Sequence, residues 1–103
     1  MDSLKKRLLN RLKEEKAFWS YDQVDEISND NLIENVLLYL DLDDIEYLFL
    51  LYHKNQIRKV WKGRLLKQEP YYHDLNVFIA SYYFNIKNPE KYIKREYPKL
   101  LNF

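Results

Sequence analysis

The chain has no cysteine and a single glycine, Gly63, in 103 residues. Without cysteine there are no disulfides, no zinc–thiolate sites and no thiol nucleophile, and the expected compartment is a reducing cytoplasm. Glycine lets a backbone turn left-handed or press against a phosphate. With only Gly63, the glycine-rich loops of nucleotide-binding enzymes are out of reach. Long apolar runs are also lacking. The longest, residues 47–52, is far below the ~20 residues of a membrane span. The basic N-terminal residues have no apolar stretch behind them and do not read as a secretory signal.

What is present is apolar and aromatic. Apolar residues make up 47% of the chain, and ten of the seventeen aromatic residues are tyrosine. That is enough to build the dense core a domain of this size needs, and a single helical domain over 1–103 is expected. The net charge of +1 conceals a partition into blocks: +3 over residues 1–19, −9 over 20–50 and +7 over 51–103. Acidic elements can fold beside basic ones as weak surface pairs. Alternatively, one acidic and one basic face each steer a partner.

Helical spacing dominates the pattern. Leu4, Leu8, Leu9 and Leu12 form a stripe on a first helix, capped by Asp2 or Ser3 and running to about Ala17. Phe18 and Trp19 precede a polar loop over 20–29. Ser28 or Asn29 caps a second helix with Leu32, Ile33, Val36, Leu37 and Leu40 inward. Asp41 starts a third, its side chain accepting the amide of Asp44, with Ile45, Leu48, Phe49 and Tyr52 on the buried face. Asn55 is predicted to cap a fourth helix over about 55–66, with Ile57, Val60, Trp61 and Leu65 inward and Lys59, Lys62 and Arg64 outward. Pro70 suits the first turn of a fifth, lined by Leu75, Phe78, Ile79, Tyr82 and Tyr83. The segment Asn88-Pro89-Glu90 starts a sixth, striped by Tyr92, Ile93 and Tyr97 and ended by Pro98. The expected fold is all-α: a compact bundle of five to six short helices, with a helix-turn-helix-like arrangement open to helices two to four.

Patterns that carry reactive chemistry are sparse. A calcium loop from Asp41 would need glycine at its sixth place and glutamate at its twelfth; Glu46 and Tyr52 stand there. His53 and His73 have no carboxylate at i+4 and no cysteine to join them, so each reads as a cation near a helix end. No G-x-S-x-G surrounds Ser20 or Ser81. The expectation is a protein without catalytic residues, metal or cofactor. Three surfaces remain as candidates for partners. The basic one is Arg58, Lys59, Lys62 and Arg64, with Lys67 beside it; it fits DNA phosphates if the helix around 55–66 is exposed. The acidic one is Asp43, Asp44 and Glu46. The aromatic one is Tyr71, Tyr72, Tyr82 and Tyr83, since tyrosines serve well at protein interfaces. Trp19, Phe49, Trp61 and Phe78 are the expected structural aromatics.

The segments Phe18-Trp19-Ser20-Tyr21-Asp22, Val36-Leu37-Leu38-Tyr39-Leu40-Asp41-Leu42-Asp43-Asp44 and Ile57-Arg58-Lys59-Val60-Trp61, with Tyr52, carry a resemblance over most of the chain. So does Phe84-Asn85-Ile86-Lys87-Asn88-Pro89-Glu90-Lys91-Tyr92. Together they resemble a family of small uncharacterised bacterial helical proteins, of the kind encoded beside nucleotidyltransferase-type toxins of abortive-infection systems. The resemblance implies an antitoxin-like or accessory protein that contacts a toxin, and it supplies no catalytic residues. A helical DNA-binding regulator using residues 55–66 is the alternative.

Overall fold

The structure, a computed structural model, describes residues 2–15 and 27–101. The expected end of the first helix at Ala17, Phe18, Trp19 and most of the loop over 20–29 lie outside the described residues. All regular structure within them is helical: α1 (Asp2–Glu15), α2 (Asn29–Tyr39), α3 (Leu42–Leu51), α4 (Lys54–Val60), α5 (His73–Tyr82) and α6 (Pro89–Leu100). Where one domain is expected, the contacts divide the chain into two compact units, Met1–Ile57 and Arg58–Phe103.

In the first unit, α1, α2 and α3 pack on one another. Leu8 and Leu12 of the α1 stripe are fully buried, as are Leu32, Ile33 and Val36 of α2 and Leu48 of α3. Each such side chain contributes about 1.5–3 kcal/mol by leaving water. Ser28 caps α2, its hydroxyl accepting the Asn31 amide at 3.2 Å. Only Leu40 and Asp41, both extended, separate α2 from α3, so the two helices must turn sharply against each other. The Asp41 amide donates to Asp44 Oδ2 at 3.4 Å, tying the first turn of α3 to its cap. Tyr52, just past α3, donates its hydroxyl to Asn29 Oδ1 at the start of α2 (2.7 Å).

The fourth helix departs from expectation at both ends. His53, not Asn55, is its cap: Nδ1 accepts the Asn55 amide at 3.1 Å and the His53 carbonyl accepts the amides of Gln56 and Ile57. His53 thus sits between the end of α3 and the start of α4 and serves the latter. Regular α-helix also stops at Val60 and gives way to a π-helix, Trp61–Leu65, and a 3₁₀ turn, Leu66–Gln68. Residues five apart on an α-helix diverge by about 140°. The wider turn brings Leu66 back under Trp61, its amide bonded to the Trp61 carbonyl, and Trp61, Leu65 and Leu66 are all fully buried. Packing, not the glycine, sets this turn. Gly63 is exposed, lacks positive φ, and would meet nothing if given a Cβ.

In the second unit α5 and α6 pack together, and α6 also meets the 3₁₀ turn. The Glu69–Pro70 peptide is cis, and Pro70 lies in a turn before α5, its carbonyl accepting the His73 amide at 3.1 Å. The helix thus begins three residues later than the proline suggests. Asn88 caps α6 by accepting the Lys91 amide (3.2 Å), with Pro89 in the first turn. Pro98 does not end α6, which runs to Leu100. A proline this near the end removes one intrahelical donor, and the Leu101 amide closes the last turn on the Pro98 carbonyl. Between α5 and α6 the chain turns left-handed at Asn85 (φ 53°), an asparagine taking the role that glycine would fill in a glycine-richer chain.

Candidate functional site

A polar chain runs through the second unit from its core to its surface. Trp61 Nε1–H donates to Asn76 Oδ1 at 2.9 Å. The Asn76 amide donates in turn to the Leu65 carbonyl (3.2 Å) and to Glu69 Oε2 (2.7 Å). Glu69 Oε1 faces His73 Nδ1 at 2.6 Å, and Glu90 Oε1 faces His73 Nε2. Asn76 is fully buried and the Glu69 side chain nearly so. Glu69, His73 and Glu90 border an open cleft of about 410 Å³ walled by Pro70, Ile93, Lys94 and Tyr97.

His73 is the first residue of α5, at the positive end of the helix rather than the negative end expected for it. Two carboxylates override that position. The hydrogen bond to Glu69, and after it the one to Glu90, raise the imidazole's pKa above its ordinary value of 6.5, outweighing partial burial. When protonated, the ring donates to a carboxylate from each nitrogen and has no lone pair for a metal. Among the described residues no group of three or more His, Asp or Glu is placed to hold a metal ion. Because the folded-state pKa is the raised one, this cluster stabilises the protein fully below pH 6.5, and the contribution is lost as pH rises through the folded value. Urea midpoints measured from about pH 6 upward should therefore fall in the wild type. His73→Gln should flatten that decline.

A second cluster surrounds Tyr92. Its ring stacks on Trp61 at 6.3 Å and 10°, and three cations approach the ring centroid: Arg95 at 5.4 Å, Lys62 at 5.7 Å and Arg58 at 5.9 Å. Arg58 donates to the Tyr92 hydroxyl at 3.3 Å. Glu96 is shared among three cations: Lys62 at 3.0 Å on one oxygen, Arg95 at 3.1 Å and Lys99 at 3.3 Å on the other. The bond from Lys62, followed by those from Lys99 and Arg95, holds its carboxyl down at about 2 against the opposing effect of burial. Burial disfavours the Lys62 ammonium, but hydrogen bonds to Glu96 and to Tyr92 more than offset it and raise its pKa.

The predicted surfaces fare differently. Of the basic set, Lys59 is exposed, but Arg58 and Lys62 are turned to Tyr92 and Glu96, and Arg64 is half-buried. They do not form an outward row on one α-helix, because the helix changes pitch after Val60. Of the acidic set, Asp43 and Glu46 are exposed, beside Leu42 and a 72%-exposed Leu50. Asp44 is instead buried, with Arg11 Nε at 3.2 Å. Arg11 also reaches Glu14, Glu15 and Asp41, and its bonds to Glu14 and Asp44 raise its pKa further. Asp44 thus belongs to an ion-pair cluster between α1 and α3, not to a partner surface. Of the aromatics, Tyr71 (78%) and Tyr82 (55%) are exposed, while Tyr72 and Tyr83 are half-buried. Tyr82 stacks on Phe78 at 5.2 Å and 12°, and Tyr83 meets both rings edge-on.

Phe78, expected in the core, is 37% exposed. The buried face of α5 is Asn76, Ile79 and Ala80, because the three bonds of Asn76 rotate that residue inward and Phe78 away. Sequence marks Glu90 only as a helix-start residue and Tyr92 only as part of a stripe, and does not mark Glu69, Asn76 or Glu96. The signal was present for one of them: Glu69 precedes His73 by four residues, the mirror of the i+4 spacing for which the histidines were screened.

Among the described residues no helix is long and apolar enough to cross a membrane. Comparison of the chain with protein-family models, with curated proteins and with solved structures finds no match to any of them.

Proposed function

We propose that this protein is a non-catalytic binding protein that docks onto another protein, as an antitoxin-like or accessory partner of a bacterial toxin. The observation that carries the reading is the stacked pair Phe78 and Tyr82, 37% and 55% exposed, on a helix whose opposite side is fully buried. Rigid aromatic rings supply much contact area at low entropic cost, and tyrosine is enriched among residues that dominate binding energy. The resemblance to small partners of nucleotidyltransferase-type toxins, and a cytoplasmic setting without cysteine, agree with it. Use of residues 55–66 to read DNA has weaker support, since Arg58 and Lys62 are engaged by Tyr92 and Glu96.

The test is co-expression with the product of the adjacent gene. The wild type should co-purify with it and restore growth. Phe78→Ser with Tyr82→Ser should keep its helical circular dichroism and lose both properties. Absence of association and rescue in the wild type would remove the proposal. Retardation of its own promoter DNA, falling steeply with salt, would favour a regulator instead.

A further inference from the structure

We propose that Arg58, Tyr92 and Arg95, with Lys62 behind them, form a binding site for a phosphate monoester or inorganic phosphate. The Tyr92 oxygen accepts from Arg58 and lies against the Lys62 ammonium. A phenolic oxygen has two lone pairs and one proton. With its acceptor side turned to two cations, its O–H is directed away from them as a donor.

The guanidinium of Arg58 is held as a rigid fork. It lies 5.6 Å from the Phe84 ring centroid and 5.9 Å from that of Tyr92, half-buried. Among the described residues it meets no carboxylate, and its one hydrogen bond to Tyr92 leaves further N–H donors to spend. Planar guanidinium forks of this kind suit phosphate and carboxylate oxygens.

Charge decides between those two. Lys62, Arg95 and Lys99 share a single carboxylate, Glu96, and Arg58 joins Lys62 and Arg95 at the Tyr92 ring. An excess of this size favours a dianion over a monoanionic carboxylate or phosphodiester. The cations also converge on one ring rather than tracking a line, which suits one phosphate group and not a nucleic-acid backbone. Lys59, exposed on the same helical segment, lies outside this convergence.

The experiment is titration of the full chain with inorganic phosphate at constant ionic strength, followed by the arginine Nε–H resonances in nitrogen–proton correlation spectra. A saturable shift is expected at Arg58 and Arg95. Arg58→Gln should weaken binding roughly tenfold or more, and Tyr92→Phe, which keeps the ring stack and removes the donor, by about tenfold or more, on the scale of a lost hydrogen bond to a charged group. Lys59→Gln should leave the affinity unchanged. Should Arg58→Gln fail to fold, the Tyr92→Phe comparison decides alone. No saturable shift, equal weakening by Lys59→Gln, or acetate binding as tightly as phosphate would overturn the proposal. Tighter saturation by a short DNA duplex than by phosphate would also overturn it, pointing to a diester backbone. None of these outcomes depends on the toxin-partner reading.

Discussion

Trp61→Ala is expected to cost about 3–5 kcal/mol, the range for deleting a large buried aromatic side chain, and so most of the stability of a domain this small. Trp61 is fully buried. Its indole stacks on Phe84 at 5.3 Å and on Tyr92 at 6.3 Å, and its N–H holds Asn76. Truncation therefore opens a cavity, removes two ring contacts and leaves the Asn76 oxygen without its donor. Trp61→Phe keeps an aromatic ring but not the N–H and should fall between wild type and alanine. Phe78→Ala should cost less than Trp61→Ala, since the Phe78 ring is 37% exposed where Trp61 is fully buried. Urea unfolding followed by far-ultraviolet circular dichroism measures all three. A Trp61→Ala loss no greater than that of Phe78→Ala would contradict the packing described for the second unit.

The second large effect is expected at Asn76. Asn76→Asp keeps the shape and the acceptor for Trp61 but replaces the donating amide with a carboxylate. The new oxygen would stand where the amide now meets Glu69 at 2.7 Å and the Leu65 carbonyl at 3.2 Å. Two buried carboxylates in contact cannot both ionise without a large penalty, so a loss of about 3–5 kcal/mol at neutral pH follows from breaking a buried charged network. The sign of its pH dependence is fixed. The pair binds a proton more tightly when folded than when unfolded, so the variant should recover stability relative to wild type as pH falls. Denaturation of both proteins at neutral and mildly acidic pH tests this. A deficit unchanged between them would mean that Asn76 and Glu69 do not interact as described.

Both effects arise at residues whose importance was unevenly legible. Trp61 could be marked as structural because it falls on the apolar face with Ile57, Val60 and Leu65. Asn76 could not, since a polar residue inside an apolar stripe looks like a solvent-facing position until its partners are in place. The same asymmetry runs through the candidate surfaces. The acids at the start of α3 read correctly as helix-capping residues, yet Asp44 could not be separated from its exposed neighbours Asp43 and Glu46. Only the approach of Arg11 from α1 does that. Arg58 and Lys62 read as outward cations, because nothing in local spacing shows that Tyr92 and Glu96, thirty-four residues on, arrive beside them.

Sequence by itself determined the all-helical class, the placing of most helices and the caps at Ser28, Asp41 and Asn88, because these follow from hydrogen bonds and apolar spacing within a few residues. Tertiary structure alone decided the π-turn after Val60, the rotation of α5 that buries Asn76 and exposes Phe78, and the polar clusters at His73 and Tyr92. Each of those depends on packing partners that local spacing does not show, whose energies exist only once packing has removed water from between them.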